Sequence, residues 1–314
     1  MTEAEIFPHI SVVVPFFDEE DNVAPLVEAV HAALTETGWP WELILVDDGS
    51  RDATVERAND ERRTRGAPDS ELPLPRNFRQ TAAMQAGLDA ARGNVCVTLD
   101  GDLQNDPSDI PVMVERLQSE DLDLVVGWRK DRQDGLWLRL IPSRIANKMI
   151  RRVTGVRVHD YGCSLKVYRT DLVRQMRLYG EMHRFIPAWA AMVTSPERIG
   201  EVVVKHYPRH SGESKYGLGR ATRVALDLLV VHFFLRYRAM PGHFFGAIGL
   251  VTLFIGAAAL GYLAIVKFVM GEDIGGRPLL MVGILCVIGA VQFITTGVVT
   301  ELLARAWMSS PDAH

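Results

Sequence analysis

Cysteine is scarce: Cys96, Cys163 and Cys286 are the only three in 314 residues, and they lie far apart in segments of different character. That spacing fits neither a disulfide framework nor a thiolate metal site, so free thiols in a reducing compartment are expected. Two glycine-rich signatures are missing as well. No G-x-G-x-x-G follows the first apolar run and no G-x-x-x-x-G-K-[ST] occurs, which removes the usual support for dinucleotide binding and P-loop chemistry. The opening MTEAEIFPHI has neither a basic stretch nor an apolar core and does not read as a signal peptide. With 48% hydrophobic and 23% charged residues, disordered and collagen-like chains are excluded, and one or two domains with a sizeable core are expected.

Charge is missing altogether from two stretches, 244–266 and 279–300. At ~1.5 Å per residue each reaches about 33 Å, enough to cross a bilayer core. They read as a transmembrane hairpin joined by residues 267–278. Arg220, Arg223, Arg236 and Arg238 precede the first span and Arg305 follows the second, so the positive-inside rule keeps both ends cytoplasmic. The remaining charge is uneven. Residues 1–127 hold 9 Lys and Arg against 26 Asp and Glu, whereas residues 128–238 hold 22 against 9. An acidic half is followed by a basic one, and then by the nearly uncharged hairpin.

In the acidic half, short apolar runs alternate with helical patterns. Ile10–Pro15, Leu43–Val46, Val95–Leu99 and Leu122–Val126 read as strands; residues 22–37, 52–65, 80–91 and 108–119 read as helices. That order predicts an α/β fold, a mostly parallel sheet with helices on both faces. Segment 67–75 occupies a strand position but carries three prolines. Polar clusters fall at strand C-terminal ends, where open α/β sheets bind ligands. Asp100-Gly-Asp102-Leu-Gln104 turns two carboxylates toward one point, a donor set suited to Mg²⁺ or Mn²⁺ shared with a diphosphate; taken alone it is equally a solvated acidic turn. Asp47-Asp48-Gly-Ser and Asp18-Glu19-Glu20-Asp21 add negative charge at the same edge, which needs a cation or hydrogen-bond donors to offset it.

The runs VVVPFFDEEDNV, ILVDDGSRDAT, RNFRQTAAMQAGLDAARGN, TLDGDLQNDP and DYGCSLKVYR, in that order, resemble the family 2 glycosyltransferases. Within them they look most like the polyprenyl-phosphate type: dolichol-phosphate mannose synthase, bactoprenol glucosyltransferases and undecaprenyl-phosphate aminoarabinose transferase. The resemblance covers about residues 8–300 and implies a glycosyltransferase A (Rossmann-like) domain followed by interface helices and two membrane spans. It implies that Pro15, Glu19, Asp47, Asp48, Gln80 and Asp100 belong to the donor site, and that Asp100, Asp102 and Gln104 hold the metal. Three positions depart from the family pattern. Phe17 stands for the usual Tyr, Asp18 for Asn, and Arg79 for the Gly of R-N-x-G-Q.

In the basic half, Leu140, Ile141, Ile145, Met149, Ile150 and Val153 recur at helical spacing, with Arg144, Lys148, Arg151, Arg152 and Arg157 alongside. This is a basic amphipathic helix suited to an anionic bilayer surface. A neighbouring membrane anchor argues against nucleic-acid binding, and no nucleic acid is expected as a partner. By resemblance, Arg129, Arg139, Ser143 and Ser214 hold the acceptor phosphate, and Arg209 and Lys215 contact the donor. The R-x-x-x-S spacing puts Arg139 and Ser143 on one helix face. Asp102, Arg139 and Asp160 are the catalytic candidates, Asp160 serving either to orient a substrate or as a structural hydrogen-bonding group; His159 and His183 read as structural.

The expected organisation is a donor half, 1–135; an acceptor half, 136–240; the hairpin, 241–305; and a tail, 306–314. The expected reaction moves a sugar from a nucleotide diphosphate, UDP in preference, to polyprenyl (undecaprenyl) phosphate with inversion, in a bacterial cytoplasmic membrane. A homo-oligomer, a tetramer in some relatives, is also implied. Against a processive synthase stands the absence of Q-x-x-R-W, since Gln175-Met-Arg-Leu-Tyr179 differs. Two rival functions are transfer to a neutral glycerolipid and a non-catalytic membrane scaffold.

Overall fold

The first apolar run, β1 (Ile10–Phe16), is buried along its whole length and lies inside a sheet. The structure is a computed structural model that describes residues 10–65, 69–130, 150–152, 154–178, 180–208, 230, 233, 236, 237 and 240–308. It falls into two units, Met1–His232 and Phe233–His314.

In the first unit, β1 is joined by β2 (Trp41–Asp47), β3 (Asp69–Pro73), β4 (Val95–Thr98), β5 (Leu124–Trp128), β6 (Lys166–Arg169) and β7 (Ile199–Val203), in the spatial order β3-β2-β1-β4-β6-β5-β7. Every pairing is parallel except those of β6, which runs antiparallel to both β4 and β5. Helices α1 (Glu20–Thr35), α2 (Thr54–Arg65), α3 (Gln80–Ala90) and α4 (Ile110–Ser119) alternate with the strands as the sequence pattern predicts. α1 buries Val23, Leu26, Val27, Val30 and Leu34, the i, i+3, i+4 stripe of a helix laid on a core. Shorter helices α5 (Thr170–Gln175) and α6 (Ile186–Ala190) follow β6.

Two prolines find their places through the topology. Pro15 lies in a central strand, but β4 pairs only with Ile10–Val13 of β1, so the missing N–H falls beyond that ladder. The proline-rich segment after α2 does form a strand, β3, at the sheet edge, where Pro73 costs least.

The second unit is α7 (Pro241–Phe268) and α8 (Pro278–Met308), each long and apolar enough to cross a bilayer. Their outer faces expose Leu250, Phe254, Ile288 and Leu303, a pattern that suits lipid and not water. Small residues let the two helices approach closely. A methyl group on Gly249 would lie 2.7 Å from Ile294 and one on Gly283 would lie 2.8 Å from Leu260. Gly246, Gly261 and Gly289 face open space, so only part of the glycine set serves this contact.

Candidate active site

The loops after β1 and β2 are stitched together by the acidic run itself. The Asp18 N–H donates to Ser50 Oγ at 2.9 Å and the Arg51 N–H to Asp18 Oδ1 at 2.9 Å. The Glu19 N–H donates to Thr54 Oγ1 at 2.9 Å, and Glu20 accepts from the Ala53 N–H at 3.0 Å. Backbone donors thus offset much of the charge that the sequence concentrates here. Asp47, buried at the end of β2, accepts from the N–H groups of Gly49 and Ser50 and closes the Asp-Asp-Gly-Ser turn. Gly49 has φ +75°, and a side chain there would meet the Arg76–Asn77 backbone at 2.6–2.8 Å. The second segment therefore packs directly on the turn.

Asp48 ties that segment down: the Phe78 N–H donates to its Oδ1 at 2.7 Å. Burial pushes the Asp48 carboxyl up, against the downward pull of the Phe78 and Arg79 N–H groups. Arg79 has φ +76° and ψ 161°, a region that glycine enters freely and where a residue with a side chain stores about 1–3 kcal/mol of strain. The next residue, Gln80, opens α3 and donates from its amide to Asp100 Oδ1 at 2.6 Å. The chain from Arg76 to Gln80 so bridges the ends of β2 and β4, passing over the end of β1 that lies between them.

At the end of β4, Asp100 and Asp102 flank Gly101, where a side chain would lie 2.6 Å from the Phe16 ring. Leu103 adopts φ +57°, and the Gln104 N–H returns to Asp102 Oδ1 at 3.2 Å, so the turn is tight. Burial first, then the neighbouring Asp102 charge, pushes the Asp100 carboxyl up to about 6. Two carboxylates that repel each other in this way form a hard-oxygen set that a divalent cation relieves. Among the described residues no group of three or more His, Cys, Asp and Glu is placed to hold a metal. Among the described residues this turn therefore presents two carboxylates, Asp100 and Asp102.

On the far side of β6, Arg129 follows β5 and forms a forked pair with Asp160: Nε to Oδ2 at 2.7 Å and Nη2 to Oδ1 at 3.1 Å. Both side chains are nearly buried, 11% and 13% exposed. Burial opposes the Arg129 charge, but the Asp160 hydrogen bonds and charge outweigh it and hold the guanidinium pKa above its usual value. The two candidates thus meet each other. His159 is gripped by Glu201 through its backbone N–H and its Nδ1, and its ring stacks on Trp128 with centroids 4.3 Å apart. His206 bridges to Asn105, and the Tyr207 N–H donates to Gln104 O at 2.8 Å. The chain leading to Arg209 therefore runs beside the acidic turn. Arg139, Ser143, Arg209, Ser214 and Lys215 themselves lie outside the described residues, as does most of the basic amphipathic stretch.

Two residues in DYGCSLKVYR carry more than their sequence pattern predicts. Ser164 hydrogen-bonds Asp100 and accepts from Asn105 Nδ2 at 2.7 Å. Lys166 is 2% exposed and donates to the Cys163 carbonyl; burial lowers its pKa against the opposing charges of Asp100 and Asp160. A lysine inside an apolar strand was the available signal.

His183 is held by Thr81 Oγ1, 2.6 Å from Nδ1, and burial lowers its pKa to about 3. The unfolded chain takes up a proton near pH 6.5 while the native ring stays neutral. Stability is thus fully present above pH 6.5 and lost as pH falls toward 3. The slope from this group approaches ~1.4 kcal/mol per pH unit between about 6 and 4. Thermal melts across that range are expected to show it, and His183→Gln to flatten it.

The family model for glycosyl transferase family 2 matches residues 11–177, and the chain belongs to that family. Dodecaprenyl-phosphate galacturonate synthase of Rhizobium johnstonii is 56% identical over 298 residues, covering 95% of this chain and 88% of the relative. Undecaprenyl-phosphate 4-deoxy-4-formamido-L-arabinose transferase of Pseudomonas aeruginosa is 34% identical, covering 95% and 86%. Among solved structures, glucosyl-3-phosphoglycerate synthase from Mycobacterium tuberculosis, in complex with Mn²⁺, UDP-glucose and phosphoglyceric acid, aligns with a TM-score of 0.55 at 20% identity. That alignment covers 72% of this chain and 80% of the solved one. The glycosyltransferase A fold expected from the motifs is the fold observed.

Proposed function

We propose that this protein is a membrane-bound inverting glycosyltransferase that moves a uronic acid from a UDP-linked donor to a polyprenyl phosphate. The observation that carries this reading is the carboxylate pair at the end of β4, set in a chain 56% identical along nearly its whole length to a dodecaprenyl-phosphate galacturonate synthase. A phosphate oxygen of the acceptor attacks the anomeric carbon; the bond from that carbon to the donor diphosphate breaks, and UDP leaves with the electron pair. The attacking oxygen is already ionised at neutral pH, so alignment and charge stabilisation matter more than a strong base.

Residues 1–135 are assigned to the donor and 136–240 to the acceptor, with 241–305 as the membrane hairpin and 306–314 as a tail. Pro15, Glu19, Asp47 and Asp48 shape the nucleoside end of the donor site. Asp100, Asp102 and Gln104 would hold Mg²⁺ or Mn²⁺, which when bound neutralises charge on the departing diphosphate. Gln80 fixes the orientation of Asp100. Arg209 and Lys215 meet donor phosphate, while Arg129, Arg139, Ser143 and Ser214 meet acceptor phosphate, for which arginine's fork is suited. Asp160 positions Arg129. The hairpin keeps the catalytic unit on the cytoplasmic face, where lipid phosphate and soluble nucleotide-sugar meet.

The test is transfer of label from UDP-galacturonate into the lipid extract by the full chain in lipid nanodiscs, with undecaprenyl phosphate as acceptor. Label that appears with Mg²⁺ or Mn²⁺ and disappears with chelator supports the reading. Label on diacylglycerol alone would show that the acceptor is a neutral lipid, and silence with every donor would favour the scaffold.

A further inference from the structure

Arg79 stands at a place beside the candidate donor site where the backbone asks for glycine. Its φ of +76° and ψ of 161° lie in territory that residues with a β-carbon avoid. The residues on either side leave it no freedom to relax. Asp48 accepts from the Phe78 N–H at 2.7 Å, and the Arg79 N–H donates to Asn77 Oδ1 at 3.2 Å. Gln80 is fastened to Asp100 at 2.6 Å. The strained residue therefore sits between neighbours fastened to the carboxylates that end β2 and β4, and its side chain reaches toward Glu181.

That side chain is 80% exposed, and among the described residues its ionic contact is a single one, Glu181 Oε1 at 3.8 Å, beyond hydrogen-bond range. Glu181 is held more closely by Arg184, at 3.1 Å. Two guanidinium groups thus face one carboxylate, and Arg79 keeps its planar fork available. It lines a pocket of about 300 Å³ with Phe78, Ala82, Leu178, Gly180 and Glu181. The Phe78 ring, 42% exposed, provides an apolar wall next to the cation. Such a combination recognises a carboxylate carried on a compact ring, because the fork of arginine pairs with both oxygens at once. A neutral sugar would offer Arg79 no such partner.

Resting on the proposed function, we infer that Arg79 is the specificity-determining residue that reads the carboxylate of the transferred uronic acid.

The experiment uses the full chain in nanodiscs of phosphatidylethanolamine and phosphatidylglycerol with undecaprenyl phosphate, and compares UDP-galacturonate with UDP-galactose, donors that differ only at C6. Wild type, Arg79→Gly and Arg79→Lys are assayed beside direct measurement of UDP affinity and thermal melts. Arg79→Gly relieves the backbone strain, so its melting temperature is expected to equal or exceed that of wild type. It is expected to cut kcat/KM for UDP-galacturonate roughly 100-fold, mainly through KM, to shift preference toward UDP-galactose, and to change UDP affinity by less than about 3-fold. Arg79→Lys recovers part of the loss. Equal losses for both donors with weakened UDP binding would overturn the inference, because Arg79 would then grip the diphosphate. An unchanged donor ratio with intact UDP binding would overturn it as well, making Arg79 a surface residue while the proposed function stands. A wild-type enzyme that transfers galactose but not galacturonate would overturn the substrate reading, and the role of Arg79 with it.

Discussion

Asp102→Asn is expected to lower turnover about 1,000-fold or more while leaving the fold intact, because it removes one of the two charges that face the cation and the departing diphosphate. Asp102 is a cleaner choice than Asp100. The Asp100 carboxylate also holds Gln80 and Ser164, so replacing it would disturb α3 and the start of β6 together with the chemistry. One contact of Asp102 is local, with the Gln104 N–H two residues on. A melting temperature within a few degrees of wild type, coupled with loss of label transfer and of metal-dependent UDP binding, would match the assignment. Turnover within about 10-fold of wild type would remove Asp102 from the metal site.

The second large effect concerns stability. Asp160→Ala leaves the Arg129 guanidinium almost buried with its main partner gone, a change that costs about 3–5 kcal/mol. For a unit of this size that corresponds to roughly 10 °C or more in melting temperature. Asp160→Asn keeps an acceptor and is expected to cost about half as much. The pair also bears on acceptor binding. Asp160 occupies Nε and Nη2 of Arg129, so an acceptor phosphate would meet a guanidinium already fixed in orientation. If Asp160 does position Arg129, Asp160→Asn raises KM for the lipid phosphate without changing KM for the donor. A melt unchanged in Asp160→Ala would refute the energetic argument.

Much of this architecture was legible in the chain itself. The alternation of β-branched runs with 3.6-residue stripes marks β1, β2, β4 and β5 and helices α1 to α4, with boundaries that move by about two residues. The two uncharged runs mark α7 and α8, which extend beyond those runs at both ends. What escaped has physical reasons. β6 is only four residues long and carries Lys166 in its buried stretch, which breaks an apolar pattern; the Cys163 carbonyl and nearby carboxylates meet that charge. β7 is short, contains Gly200, and lies half-exposed at the sheet edge, so it lacks a buried stripe. The Arg129–Asp160 pair joins residues 31 apart, and nothing local predicts it, since it depends on the chain returning to the same sheet edge. The strain at Arg79 is likewise invisible in composition; only the replacement of a family glycine hinted at it.

The reversed strand β6 has a consequence for reach. Thr98, Lys166 and Val126 stand level across three neighbouring strands, so the backbones of β4 and β5 are two strand spacings apart, roughly 10 Å. Asp100 and Arg129 leave their strands two and three residues beyond that common line. The distance between the acidic turn and the arginine is thus set by a spacer of hydrogen-bonded backbone, which side-chain substitutions cannot shorten. Under the proposed function, that fixed gap acts as a gauge: it leaves room for a single sugar between the diphosphate it departs and the lipid phosphate that receives it.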